Sequence, residues 1–551
     1  MPPSALTPGE QGLIHDRQQK MLDEQRQRQE EIQQLPVLPD ASELKKAPDD
    51  RPCFTIHRIR IQGADHMTET EQKETIRYFE NQCLDSARIN ELLGAITNFY
   101  LKRGNITSRA YLPEQDISNS ELEILVVEGK LEEIDNEHPN LTETEISRAF
   151  PGKTGELLNL RELEQMTDQL DRLLSRHIEI DIFPGKNHGE SRIRIKKRDS
   201  PTREKSWHMN IMRGNYGEKT TGEQQANVRL SLDSPLGLAD RIIINGGQDT
   251  GGRKGKHAKN QSLFYDIPIG WWTLSYNYSH SEYRARNKAA GLVFETSGKN
   301  QVHEFRADRV FHRDGASKTG VIAGLSHLRT RNYFEEAPLK ISSHRLTEFQ
   351  LAFYHGQRIG SAYVNADVGW QRGIRALDAQ SGKHSRADAP EARYNKYTLT
   401  ASYLHPFLLG GQQLSAESFL HIQRSEDALF SPQRVSLGGL YSVRGFKEWS
   451  LAGNSGGYWR NQLHWRRAVR DERWRTLFDE ASARLFYDFG EIAHDGRRGD
   501  AGGRLSGQGI ELAARGRYVS ASLTFARSLA TKGLPAGRRE RPIYFSAQFA
   551  Y

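Results

Sequence analysis

Apolar and polar side chains alternate along the chain beyond about Lys205. Trp272, Leu274, Tyr276 and Tyr278 share one parity, and Thr273, Ser275, Asn277 and Ser279 the other. Tyr397, Leu399, Ala401 and Tyr403 oppose Thr398, Thr400 and Ser402; Val519, Ala521, Leu523 and Phe525 oppose Ser520, Ser522 and Thr524. A period of two is that of a strand with a different environment on each face. Segments of about ten residues, separated by polar, Gly-rich stretches, fit tilted strands with lipid on one side and a lumen on the other. A soluble β-sandwich also alternates, but with shorter and more regular turns. In the last segment Ile543, Phe545, Ala547, Phe549 and Tyr551 share a face. An aromatic residue ending such a strand suits a closing strand at the membrane interface.

Ahead of this region the period is helical. Residues 7 to 34 predict one helix, with Thr7 as N-cap, Pro8 in the first turn, Glu10 completing a capping box and Pro36 stopping it. Leu13, Ile14, Met21, Leu22 and Ile32 are too sparse to bury a face. Such a helix is solvated, bridging or held in a polar environment. Its length, roughly 40 Å, is enough to cross a bilayer-height pore. Pro36, Pro39, Pro48 and Pro52 make residues 35–52 a linker.

Residues 53–198 repeat one order of elements. The first copy, 53–127, predicts a strand at Cys53–Ile61 and a capped helix at Thr68 and Glu71. A second helix follows, with Ile89, Leu92, Leu93, Ile96 and Tyr100 on one face, then strands near Ser108–Leu112 and Leu122–Val127. The second, 128–198, predicts a strand at Lys130–Ile134, a capping box at Thr142 and Glu145, and a helix from Asn159. That helix turns Leu163, Met166, Leu170, Leu173 and Leu174 inward; strands follow at His177–Ile182 and Ser191–Lys196. A β-α-α-β-β unit repeated in tandem marks two related α+β domains. The basic run Arg192 to Arg198 alternates with isoleucine and reads as an edge or exposed strand.

Composition narrows the picture. The chain has 551 residues and is 36% hydrophobic, with a mean hydropathy of -0.72. No apolar run approaches the roughly 20 residues of a spanning helix, whereas a barrel tolerates low hydropathy because its strands alternate. The net charge of +7 is spread among 77 basic and 70 acidic residues. That is a mildly basic surface without the clustered patch a nucleic-acid partner needs. The two cysteines, Cys53 and Cys83, fall in one small domain. The pair suggests a disulfide formed in an oxidising compartment, the rival being two unrelated buried thiols. No signal peptide is legible, and Met1-Pro2-Pro3 reads as an initiator placed before a mature chain.

Enzyme and metal motifs are not found: there is no H-E-x-x-H and no G-x-S-x-G. Gly251 to Lys256 only superficially resembles a phosphate loop, with Thr250 and His257 at positions that need Gly and Ser or Thr. No cofactor or catalytic residue is expected.

Two short segments carry the most specific signal. Val443-Arg444-Gly445-Phe446 puts a permanent cation in a Gly- and Ser-rich stretch. Phe486-Tyr487-Asp488-Phe489-Gly490 puts a carboxylate on an alternating strand. Ala483, Leu485, Tyr487 and Phe489 form its apolar face, so in a barrel Phe486, Asp488 and Gly490 face the lumen. A guanidinium holds a carboxylate through two parallel hydrogen bonds, so Arg444 on an inserted loop would suit Asp488. Arg484 shares that face but stands roughly 13 Å away, which leaves a cation on a neighbouring strand as the rival.

In this order, the leading helix, the linker, the tandem units, the barrel and the two motifs resemble a two-partner-secretion transporter of the Omp85 superfamily. Haemolysin activators and the transporters of filamentous haemagglutinin and contact-dependent inhibition toxins belong to it. The resemblance covers essentially the whole chain. It implies a transmembrane barrel of about 16 antiparallel strands over 205–551, two POTRA domains at 53–127 and 128–198 in the periplasm, and a plug helix within 1–34. It further implies a monomer in outer-membrane lipid of a Gram-negative cell, secreting a large exoprotein whose N-terminal secretion domain the POTRA domains bind. Val443–Phe446 would sit at the tip of the sixth extracellular loop, with Arg444 paired to Asp488. An outer-membrane assembly insertase and a passive porin are the alternatives.

Overall fold

A computed structural model describes residues 6–34, 52–198, 205–252, 255–289, 292–380, 389–496, 500–535 and 538–551. The expected linker lies outside them except for Pro52, as does part of the Gly251–Lys256 turn. The N-terminal helix runs Pro8–Gln33, and its capping box is formed: Glu10 N donates to Thr7 Oγ1 at 3.3 Å and Thr7 N to Glu10 Oε2 at 2.8 Å.

In the first small domain the strand expected at Cys53–Ile61 is two. Phe54–Ile56 pairs with Gln82–Leu84, and Arg58–Gln62 runs parallel to Glu121–Val127. The break falls at His57, where both His57 N and Arg58 N donate to Ser120 O and the chain changes partner. Cys53 and Cys83 are disulfide-bonded, with Cα atoms 5.3 Å apart. Helices Glu69–Ile76 and Ser86–Lys102 lay Ile76, Ile89, Leu92, Ile96 and Tyr100 on Ile59, Leu122, Ile124 and Val126.

The second domain corrects two expectations. Its basic strand, Glu190–Lys197, is central rather than an edge: Lys130–Asn136 lies parallel on one side and Ile178–Pro184 antiparallel on the other. Ile193 and Ile195 enter the core. On the opposite face the basic residues meet acids of the flanking strands, Arg192 with Asp135 at 2.9 Å and Lys196 with Asp181 at 2.7 Å. Cross-strand neutralisation is what lets a basic strand occupy the centre. Leu174, expected inward, is 46% exposed. The helix Leu160–Asp171 has ended, so its period no longer applies there.

Beyond Lys205 the strands form one closed antiparallel sheet, apart from the short ladder of Val435–Leu437 with Leu451–Gly453. The two-residue ladder Ala337–Pro338 pairs only with the end of Ser317–Phe334, which leaves 16 staves. The barrel closes where Ile543–Ala550 pairs with Trp207–Gly214. Trp272, Leu274, Tyr397, Tyr403, Leu523 and Phe525 are exposed on the outer wall, whereas Thr400, Ser402 and Thr524 are buried inside. Phe549 and Tyr551 are also outward; Tyr551 lies just past the strand, exchanging backbone bonds with Met209.

The second domain docks on one rim of the barrel. Ser175 N and Oγ donate to Asp233 at 2.9 and 2.8 Å, and Gln169 Nε2 donates to Thr273 Oγ1 at 3.0 Å. Arg313, buried, binds Glu164 at 2.9 Å and Asp168 at 2.6 Å.

Candidate functional site

The strand Glu480–Ile492 keeps its parity to the end. Leu485 and Tyr487 are exposed outside; Phe486, Asp488 and Gly490 are buried inside. Residues 425–455 join the strands Gln412–Arg424 and Gly456–Ala468 and fold back into the lumen. The ladder Val435–Leu437 with Leu451–Gly453 stiffens the base of this loop. Ser442 Oγ donates to Gly438 O at 2.8 Å, and Gly439 N to Phe446 O at 2.7 Å, closing the tip. Val443 and Phe446, both fully buried, pack with Phe419, Leu437, Tyr458, Ile492 and Leu505. That apolar cluster holds the tetrapeptide at the wall and fixes where Arg444 points.

Arg444 meets Asp488 through a fork. Nε donates to Oδ2 at 2.8 Å and Nη2 to Oδ1 at 2.7 Å; the Arg444 backbone N adds a bond to Oδ2 at 3.0 Å. Nη1 donates to Gln462 Oε1 at 3.0 Å, and the guanidinium lies 3.7 Å from the centroid of Phe486. Tyr544 Oη donates to Arg444 O at 3.3 Å and Phe446 O at 3.1 Å. Glu540 accepts the N–H groups of Lys447, Glu448 and Trp449 at 2.8 to 3.1 Å. Both glycines mark close approaches. A Cβ on Gly445 would stand 2.8 Å from Arg527 O, and one on Gly490 would stand 2.7 Å from Leu437 Cδ2.

The neighbouring-strand rival exists and is occupied elsewhere. Arg460 stands opposite Asp488 in register, yet its Nη1 donates to Tyr441 O at 3.1 Å, within the loop. Arg484 pairs with Glu511.

The N-terminal helix lies inside the barrel and against this loop. Lys20 binds Glu304 and Arg306 binds Glu24, each at 2.6 Å, and Arg28 pairs with Asp367. Ser402 Oγ donates to Gln25 Oε1 at 2.9 Å, and Asn300 Nδ2 to Gly9 O at 3.1 Å. Gln18 Nε2 donates to Ser436 O at 2.8 Å, and Met21 and Leu22 pack on the apolar cluster of the loop. At the rim where the second domain docks, Lys318 Nζ bridges Glu31 of the helix at 2.8 Å and Asp168 of the second domain at 2.9 Å. Helix, loop, wall and docked domain are therefore in direct contact. Gln462, Tyr544, Glu540 and Lys318 carried no sequence signal beyond lumen parity, because each is recruited by residues distant along the chain.

A closed barrel holding a helix in its lumen and an extracellular loop on its inner wall, with two small α+β domains at its rim, defines an outer-membrane protein transporter. Comparison with known proteins gives the family. The description "Haemolysin secretion/activation protein ShlB/FhaC/HecB" matches residues 189–514, "POTRA domain, ShlB-type" residues 54–129 and "POTRA domain" residues 130–184. The outer membrane transporter CdiB of Dickeya dadantii is 32% identical, over 95% of this chain and 91% of that protein. The hemolysin transporter protein ShlB of Serratia marcescens is 28% identical, over 97% and 91%. The solved structure of CdiB from Escherichia coli, 30% identical, covers 100% of both chains with a TM-score of 0.91.

The chain belongs to the ShlB/FhaC/HecB family of haemolysin secretion/activation proteins. It is a two-partner-secretion transporter of the Omp85 superfamily, in the outer membrane with its POTRA domains in the periplasm. The insertase and porin alternatives give way to this reading.

Proposed function

We propose that the POTRA domains capture the N-terminal region of one large exoprotein, that the helix then leaves the lumen, and that the exoprotein threads outward unfolded through the monomeric barrel. An extended segment adding to a strand edge is the recognition mode open to domains of this kind. Folding outside the cell drives transport, without a catalytic centre or nucleotide hydrolysis. The supporting observation is the helix itself: it fills the lumen mainly through side-chain ion pairs and hydrogen bonds, with scattered apolar contacts such as Met21 and Leu22 on the loop cluster in place of a continuous apolar face. Polar contacts of this sort re-form with water, so release is reversible. Three CdiB relatives match at 32% to 34% identity, and a fourth, like the haemolysin transporters, at 28%. The first three support a partner of the kind CdiB transporters carry. Within this mechanism Arg444 and Asp488 act as a conformational anchor: they keep the loop on the wall while the rest of the lumen empties.

The test is a tether. Gln25→Cys with Ser402→Cys joins the helix to the wall where the two side chains now touch. Secretion of the partner is expected to stop under oxidising conditions and to return with reductant. Undiminished secretion with the tether closed refutes the release step.

A further inference from the structure

The outer wall carries a pair of arginines that the transport mechanism does not use. On the strand Val519–Lys532 the outward stripe is Val519, Ala521, Leu523 and Phe525, and Arg527 follows with the same parity, exposed. On the neighbouring strand Ile543 and Phe549 point outward, and Arg541 precedes Ile543 with that parity, also exposed. Ala526 N donates to Pro542 O, and Ser528 N to Glu540 O, each at 3.0 Å, which sets Arg527 opposite Arg541. Like charges directly opposite on a ladder repel, yet among the described residues neither arginine has an acidic partner. The adjacent carboxylate, Glu540, faces the other way and is occupied by three N–H groups of the lumen loop.

The depth of the pair is informative. Lys532 ends the strand at the rim from which residues 425–455 enter the lumen, away from the rim where the POTRA domain docks. Arg527 stands where a tilted strand of roughly 9–11 residues has just crossed the hydrocarbon. It therefore meets the headgroups of the outer leaflet. Beside it an open groove of about 1100 Å³ runs along the wall, lined by Trp459, Leu485, Tyr487, Ile510 and Phe525, with Gln508 next to Arg527 in register. Apolar and aromatic side chains suit acyl chains, an amide suits a sugar hydroxyl, and two guanidiniums suit a phosphate. Gly445 packs against the Arg527 carbonyl, so this groove is the outer side of the wall that holds the loop motif.

We propose that Arg527 and Arg541 bind the phosphate of an acylated phosphoglycolipid of the outer leaflet, with its acyl chains along the Trp459–Phe525 groove. The proposal rests on the outer-membrane location and is independent of what the barrel secretes.

The experiment is native mass spectrometry of the detergent-solubilised full chain titrated with diphosphorylated, hexa-acylated lipid A. The wild type is expected to bind at least tenfold more tightly than Arg527→Gln/Arg541→Gln. Dephosphorylated lipid A should show the same loss on the wild type and no further loss on the variant. Equal binding by variant and wild type overturns the proposal, as does equal binding of the two lipids. Inorganic phosphate at millimolar concentration should not displace the lipid; displacement by phosphate alone would make the pair a free-anion site and overturn the lipid assignment. If the double variant does not reach the heat-modifiable folded form, the comparison of the two lipids on the wild type decides by itself.

Discussion

Replacing Arg444 by alanine tests the loop anchor most directly. The substitution removes two side-chain bonds to Asp488, one to Gln462 and the stack on Phe486. Asp488 is fully buried and keeps a single bond, from the backbone N of residue 444. Removing one partner of a buried ion pair costs about 3 to 5 kcal/mol, mostly from the charge left behind. The surviving backbone bond places this case near the lower figure, about 3 kcal/mol, which is roughly 100-fold in the balance between docked and released loop. The barrel ladders on either side of Asp488 are untouched, so the loss falls on the loop. Hydrogen exchange of the full chain in lipid discs reads it. The amides of Gly439 and Phe446, bonded within the tip, should exchange roughly 100-fold faster, while the strand Glu480–Ile492 keeps its protection. Secretion of the partner should fall more than the amount of folded barrel. Arg444→Lys retains the charge but not the fork and should lie between. Adding Asp488→Asn should cost less in the Arg444→Ala background than alone, since there it neutralises a stranded charge instead of breaking the pair. Unchanged exchange at Gly439 and Phe446 together with wild-type secretion would refute the reasoning.

The other predictions concern separate links. Gly445→Val places side-chain atoms against the Arg527 carbonyl and Gly507 and should undock the loop at a cost of about 1 to 3 kcal/mol; a loop that exchanges as slowly as wild type counts against this. Lys318→Met removes the shared contact of Glu31 and Asp168, so single-channel recordings should show more frequent opening, and deletion of residues 6–34 should show more still; unchanged conductance in both argues against the plug. Cys53→Ser/Cys83→Ser should destabilise the first POTRA domain by about 2 to 5 kcal/mol without altering heat-modifiability of the barrel, as thermal melts followed on the two parts would reveal. Burial raises the pKa of Glu128, but the His66 N–H, the His66 ring and the Tyr100 hydroxyl outweigh it, so the carboxyl stays below its ordinary 4.5. A depressed folded value means that its contribution is present above the unfolded pKa and lost as pH falls through the folded one. Protection factors across residues 54–129, corrected for the intrinsic pH dependence of exchange, should therefore fall below about pH 4.5, and Glu128→Gln should flatten that dependence.

Period and local chemistry were the legible part of this chain. Alternation from Lys205 onward is a one-dimensional property, and it placed Asp488, Phe486 and Gly490 on the lumen face before any partner was known. The capping boxes at Thr7, Thr68 and Thr142 involve residues three apart and formed as written. Where the chain was misread, a long-range contact had outweighed a local cue. Basic residues alternating with isoleucine made Arg192 to Arg198 read as an edge or exposed strand, but Asp135 and Asp181, far away in sequence, neutralise it at the centre of its sheet. His57 breaks a run of strand-forming residues because Ser120 captures its backbone.

By itself, then, the sequence determined strand parity, helix starts, the tandem units and the two motifs, because each depends on neighbours within a few residues. Period and spacing left open which cation reaches Asp488, and the tertiary structure decided it. Arg460 is the nearer in register, yet the loop carries Arg444 in and draws Arg460 to Tyr441. It also decided that a helix with too few apolar residues for a packed face lies inside the barrel, where Glu304, Arg306 and Asp367 supply counter-charges to its Lys20, Glu24 and Arg28. These outcomes depend on closing the sheet, which brings residues hundreds of positions apart to one wall and removes the water that would otherwise satisfy them.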